Sequence, residues 1–214
     1  MNGIRWGEWL SAGDLVVDVG AHVGEYTQQF AAAVGPEGRV LAFEPDPDNA
    51  PRCVERCKDY PAVVVRPQAV GAASGRGSFY QSRTSTQSSR YVVNLSVPGR
   101  EIEVDTVTLD DAVWGVAQGV KIDAQGDDGW VLAGARKTLR RMPRGAWVVF
   151  ELWPAGLRAS GFVLMDLVQI FTGWRVVASG KSYQETTQAL TDILREAHDW
   201  VNSRHTNVLL RKGT

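Results

Sequence analysis

The run Leu15-Val16-Val17-Asp18-Val19-Gly20-Ala21-His22-Val23-Gly24-Glu25-Tyr26 confines this chain to a narrow set of folds. It reads as a buried strand that passes through a glycine turn into a helix, the junction at which an open α/β sheet holds a nucleotide-like ligand. Gly20 and Gly24 stand four apart, and His22 occupies the place where a dinucleotide fingerprint carries a further glycine. A side chain there keeps the backbone away from a pyrophosphate. The turn still offers N–H groups around Gly20, Ala21 and His22, the positive end of a helix, and the Asp18 carboxylate.

Twenty residues beyond Gly24 a second apolar run, Arg39-Val40-Leu41-Ala42-Phe43, stops at Glu44-Pro45-Asp46-Pro47. An acid at a strand end accepts from both hydroxyls of a ribose, and such charge-assisted bonds are worth about 1.5–3 kcal/mol each where water is excluded. Enzymes using NAD and those using S-adenosylmethionine share this device. The glycine spacing separates them and favours the methyl donor. In that reading Gly20, Ala21, His22 and Gly24 hold the methionine part, with Asp18 near its ammonium. Glu44 and Pro45 hold the ribose, and Gln68-Ala69-Val70 borders the adenine.

A chain of 214 residues with 44% hydrophobic content is long enough for one sizeable α/β core, and no Pro/Gly/Ser-rich linker divides it, so a single domain over residues 1–214 is expected. The formal charge of -1 gives no global positive field for nucleic acid or an anionic membrane, although a local basic groove stays open. The apolar runs are strand-sized and the first residues lack the core of a signal peptide, so a cytoplasmic protein is expected. Cys53 and Cys57, one helical turn apart, are too few for a soft-metal site and read as a reduced structural pair.

Strands and helices alternate along the chain, the pattern of a parallel sheet covered on both faces. Strands are expected near Leu15–Val19, Val40–Phe43, Val63–Arg66, Gly119–Ile122, Trp147–Glu151, Trp174–Ala178 and Asn207–Arg211. Helices are expected over Gly24–Val34, Pro47–Tyr60, Asp127–Arg141 and Gly161–Thr172. Between Gly71 and Val107 the pattern becomes short and alternating (Gly77–Gln81, Tyr91–Val97, Glu101–Val107), which predicts a hairpin excursion after the third strand. Its polar loop, residues 82–90, is either a cap over a site or a plain connection. Between Lys181 and Ser203, Leu190, Ile193, Leu194, Ala197 and Val201 recur at helical steps. That apolar stripe either packs on its own domain or covers the acceptor crevice or a subunit contact.

Val120-Lys121-Ile122-Asp123-Ala124-Gln125-Gly126-Asp127-Asp128 is another strand running into a helix, so Asp123 should face the crevice already holding Asp18 and Glu44. The strand ending at Phe150-Glu151 brings a further carboxylate. Asp127 and Asp128 suit a helix N-terminus.

These blocks, in order, carry a family resemblance: Val-Asp-Val-Gly-Ala-His-Val-Gly, Phe-Glu-Pro, Val-Asp-Thr-Val-Thr-Leu-Asp-Asp (104–111), the 120–128 block with Val131-Leu132-Ala133-Gly134-Ala135, and Val149-Phe150-Glu151-Leu152. From about residue 10 to 155 the chain resembles the FkbM family of S-adenosylmethionine-dependent methyltransferases. The resemblance implies a Rossmann-like, seven-stranded, mostly parallel sheet with an antiparallel last strand, and O-methylation of a small-molecule or glycan hydroxyl of sugar or polyketide type. The family usually has Asn where this chain has His22, Glu where it has Gln125, and a second acid that appears here as Asp128.

Methyl transfer to an aliphatic hydroxyl needs alignment of nucleophile, methyl carbon and sulfur, and a base within about 3 Å of the hydroxyl. Asp123 is the first candidate, with His22 and Glu151 behind it; His22 reads first as a turn residue packed beside the cofactor, and Gln125 as a cofactor contact. Asp123, Asp128 and Glu151 could hold Mg²⁺, but nothing in their spacing requires a metal. The alternatives are an RNA or protein methyltransferase on the same sheet, or a non-catalytic cofactor-binding domain. A homodimer stays open.

Overall fold

A computed structural model describes residues 4–82, 98–178, 187–198 and 205–213. The chain runs β1 (Leu15–Val19), α1 (Glu25–Val34), β2 (Arg39–Phe43), α2 (Asn49–Cys57), β3 (Val63–Arg66), β4 (Ala69–Val70), β5 (Gly75–Ser82), β6 (Pro98–Val107) and α3 (Leu109–Ala112). It continues through β7 (Ala117–Ile122), α4 (Asp128–Ala133), α5 (Arg136–Arg141), β8 (Trp147–Leu152), α6 (Pro154–Ala159), α7 (Asp166–Ile170), β9 (Trp174–Ala178), α8 (Thr187–His198) and β10 (Thr206–Lys212).

The main sheet has seven strands in the order β3-β2-β1-β7-β8-β10-β9. β1 pairs in parallel with β2 and β7, β2 with β3, and β7 with β8, while β10 runs antiparallel to β8 and β9. This is the Rossmann-like sheet with a reversed last strand. A run without polar alternation, such as Val16 to Val19 apart from Asp18, is buried on both faces, and alternate residues feed opposite layers. Val17, Val19, Leu41, Phe43, Val120, Ile122, Val148 and Phe150 belong to one core cluster; Val16, Val40, Trp147 and Val149 join Trp6, Phe30 and Val34 in another.

The excursion after β3 is a three-stranded sheet, order β4-β6-β5, with β5 and β6 antiparallel. The expected Tyr91–Val97 segment and loop 82–90 fall largely outside the described residues. β4 pairs in parallel with β6, so the small sheet is tied to residues that directly follow β3.

The structure corrects two helix expectations and decides a third left open. Asp127–Arg141 is not one helix but α4 and α5, broken at Gly134-Ala135. The cause is tertiary: the Asp110 carboxylate accepts from the N–H groups of Lys137 (3.0 Å) and Thr138 (2.7 Å), capping a new helix start. The Gly161–Thr172 helix shrinks to α7, and a separate α6 begins at Pro154, where a missing N–H costs nothing. The stripe on α8 is core: Leu190, Ile193, Leu194 and Ala197 are buried in the same cluster as Phe171, Trp174 and Val176. Those side chains therefore cover no acceptor crevice; Val201 lies outside the described residues. Among the described residues no helix is long and apolar enough to cross a membrane.

Candidate functional site

Strand order reverses between β1 and β7, because the chain builds outward from β1 through β2 to β3 and then returns to β1's other edge. Such a switch point opens a crevice beyond the carboxyl ends of the strands. A cavity of about 270 Å³ lies there, with walls that include Gly20, Ala21, His22, Glu44, Asp123 and Gln125.

The glycine turn is shaped by contact as well as by dihedrals. Gly20 has φ +70°, and a Cβ there would fall 1.9 Å from the backbone oxygen of Asp123, so β1's turn packs directly on β7's end. Gly24 has φ +85°, and its Cβ would meet Cys53 Sγ at 2.9 Å. Both cysteines are buried and free, and burial pushes the Cys53 thiol up to about 12, which suits packing rather than nucleophilic chemistry.

Glu44 closes the turn from the neighbouring strand. Its Oε2 accepts from the His22 N–H at 2.7 Å and its Oε1 from the Asp46 N–H at 2.9 Å. Each oxygen keeps a further lone pair for a ligand. Burial, only partly offset by those two N–H donors, lifts the Glu44 carboxyl to about 7. His22 itself has φ +53°, an uncommon conformation for a side chain. Burial, reinforced by Arg52, lowers the His22 imidazole below its usual value. Its Nε2 is buried and has no hydrogen-bond partner among the described residues.

Beneath the turn is a charge pair that the sequence reading did not identify. Lys121 and Asp18 have side chains only 2% and 0% exposed, with Nζ 3.1 Å from Oδ1. Lys121 also donates to the carbonyl oxygens of Gly20 (2.7 Å) and Val19 (3.3 Å), and Asp18 Oδ2 accepts from Thr27 Oγ1 at 2.7 Å. Burial acts to lower the Lys121 ammonium, but attraction from Asp18, Asp123 and Glu44 outweighs it and leaves the group above its ordinary value. Asp18 lies beneath the cavity wall, where its carboxylate pairs with Lys121 and accepts from Thr27. Lys121 does line it, and a lysine inside an apolar strand run was the available sign.

On the β7 side, Asp123 lines the cavity and its Oδ1 accepts from Gln125 Nε2 at 2.8 Å. Gln125 has φ +49°, which turns its side chain back to Asp123. Asp127 lines the cavity, whereas Asp128 is buried beside it and accepts from the Ala124 N–H (3.3 Å) and the Glu151 N–H (3.2 Å). Burial, then repulsion from Glu151 and Asp123, raises the Asp128 carboxyl far above the usual range. Asp128 therefore ties β8 to the loop after β7. Glu151 does not line the cavity; it stands 3.6 Å from His205 Nε2, and burial followed by Asp123 repulsion lifts it to about 7.

Gln68, Ala69 and Val70 line the opposite wall, together with Pro45. The structure adds Phe79 from β5, Asn49 from α2 and Tyr26 from α1, which the sequence left unassigned. Phe79 belongs to a cluster with Ala69 and Val104, and nothing local in the sequence directs a hairpin residue there.

Residues 18–156 match the model of the methyltransferase FkbM domain. The 2-O-methyltransferase NoeI of Sinorhizobium fredii (strain NBRC 101917 / NGR234) is 24% identical over 147 residues, which make up 59% of this chain and 59% of that protein. The similarity thus spans less than two thirds of the relative's length. Among solved structures, the methyltransferase FkbM from Methylobacillus flagellatus KT superposes with a TM-score of 0.58 at 17% identity, over 94% of this chain and 44% of that one. A protein described as an rRNA methylase from Clostridium thermocellum gives 0.57 at 12% identity, over 98% and 92%. At these identities the structural likeness is one of fold.

Proposed function

The chain belongs to the FkbM methyltransferase family, and from that premise we propose that it is an S-adenosylmethionine-dependent O-methyltransferase acting on a hydroxyl of a small molecule or glycan. The observation that carries this reading is one cavity in which the Gly20-Ala21-His22 turn, the Glu44 carboxylate and the Asp123 carboxylate face the same space. The residues suit the cofactor. A buried His22 Nε2 without a partner among the described residues and the lone pairs left on Glu44 are complementary to a polar, phosphate-free ligand, and the His22 side chain stands where a pyrophosphate would need bare backbone.

In this reading Glu44 and Pro45 hold the ribose, Gln68, Ala69 and Val70 flank the base, and the turn at Gly20, Ala21 and His22 holds the amino-acid end, with Gly24 starting the helix behind it. When bound, the cofactor supplies a methyl group on a sulfonium, an electrophile that needs no further activation. Asp123 takes the proton from the acceptor hydroxyl, while Gln125 orients it through Oδ1. Gln125 serves this purpose without adding a charge to the site. His22, kept neutral by burial, contributes a hydrogen bond rather than a charge. Glu151 stands outside the cavity, beside His205. The curated relative is named for a 2-O-methyl transfer, which supports an oxygen acceptor; an RNA acceptor has no comparable support beyond fold likeness.

Calorimetry with S-adenosylmethionine, S-adenosylhomocysteine and NAD tests the cofactor. Binding of the first two without the third is expected, and NAD binding alone would overturn the reading. Labelled donor with sugar, polyketide and RNA hydroxyl panels tests the acceptor, and transfer confined to RNA would refute the small-molecule or glycan assignment.

A further inference from the structure

The loop after β2 carries Glu44, Asp46 and Asp48 in five residues, and a side chain from the distant hairpin reaches it. Gln81 Nε2, near the end of β5, lies 3.0 Å from Asp46 Oδ1 and 2.6 Å from Asp48 Oδ2. Asp46 is buried, and its Oδ1 also accepts from the Asp48 N–H at 2.9 Å. Its own N–H donates to Glu44 Oε1 at 2.9 Å. A continuous hydrogen-bonded line therefore runs from the hairpin to the carboxylate in the cavity: Gln81 to Asp46 to Glu44. Two residues earlier on the same strand, and so on the same face, Phe79 forms part of the cavity wall.

We infer that Gln81 is a positioning residue for donor binding, holding Asp46 and Asp48 together so that Glu44 keeps the geometry needed to accept the ribose hydroxyls. This rests on the cofactor assignment above. The physical reason is that two adjacent carboxylates repel, and a primary amide can donate one N–H to each without adding charge. Released from Gln81, Asp46 and Asp48 separate, and the Asp46 N–H that pins Glu44 moves with them. A hydrogen bond to a charged group in a mostly buried line is coupled to its neighbours, so the effect reaches the ligand through Glu44.

The test is equilibrium binding of S-adenosylhomocysteine and of its analogue lacking both ribose hydroxyls to wild type, Gln81→Met, Glu44→Gln and the double variant. Gln81→Met keeps the chain length and packing while deleting both donors. It should weaken S-adenosylhomocysteine by about fivefold or more, leave the analogue unchanged, and add nothing in the Glu44→Gln background. Gln81→Glu, which places a third carboxylate against the other two, should weaken binding further, and its loss relative to wild type at the same pH should shrink below pH 6. Equal losses for both ligands, full additivity with Glu44→Gln, or no loss would overturn the inference. Should Gln81→Met fail to fold, the Gln81→Glu comparison between the two ligands decides the matter. Wild type that binds no S-adenosylhomocysteine would instead refute the cofactor assignment and the inference with it.

Discussion

Replacing Asp18 by Leu should destabilise the protein by about 3–5 kcal/mol, the usual result of stripping one partner from a buried ion pair. The structure sets this range. Lys121 is 2% exposed and lies 3.1 Å from the Asp18 carboxylate, so the lost attraction is about 5 kcal/mol at an effective dielectric constant near 20. The carbonyl oxygens of Gly20 and Val19 remain as acceptors but carry no full charge, and Thr27 loses the oxygen its hydroxyl donates to. For a chain of this size roughly 2–4 °C of melting temperature accompanies each kcal/mol, giving a fall of about 6–20 °C. Lys121→Met should lose a comparable amount, because a carboxylate is then left buried. The double variant, apolar at both places, should recover to within about 2 kcal/mol of wild type. Thermal and urea unfolding of the four proteins, followed by circular dichroism, measures the cycle. Single variants melting within about 2 °C of wild type, or a double variant losing the sum of the singles, would refute the buried-pair reasoning.

Other outcomes follow from the same geometry. Because burial raises the Glu44 carboxyl from 4.5 to about 7, its part in stability is greatest at low pH and is lost as pH climbs from 4.5 through 7. Ribose binding requires the ionised form, so donor affinity should rise about tenfold between pH 6 and 8; Glu44→Gln should flatten that rise, and a slope surviving the substitution would assign it to another group. Asp123→Asn should lower turnover by about 10²–10⁴-fold while sparing most donor affinity, and a variant with near-normal rates would place the base elsewhere. Leu194→Glu should cost several kcal/mol, since it puts a charge into the cluster around Val176, whereas a native melting temperature would mean that α8 is not core.

Much of this protein is written locally. Apolar runs at Leu15–Val19, broken only by Asp18, and at Val40–Phe43 define buried parallel strands because both faces of the sheet are covered, and the positive dihedrals at Gly20 and Gly24 mark the turn that a ligand loop needs. A strand-terminal Glu44 and Asp123 face the cavity because strand ends in an open sheet share one edge. Other features depend on partners far apart in the chain, which periodicity does not register. Asp18 and Thr27 read alone say nothing of Lys121, whose ammonium pairs with the Asp18 carboxylate from a strand a hundred residues on. Asp110 splits a predicted helix by capping residues 27 and 28 positions away. Phe79 and Gln81 become cavity wall and latch only because β5 folds back beside the β2 loop. The apolar stripe of α8 shows in the sequence that a face must be buried, but which surface buries it is decided by the packing of β9 and β10 against the rest of the sheet.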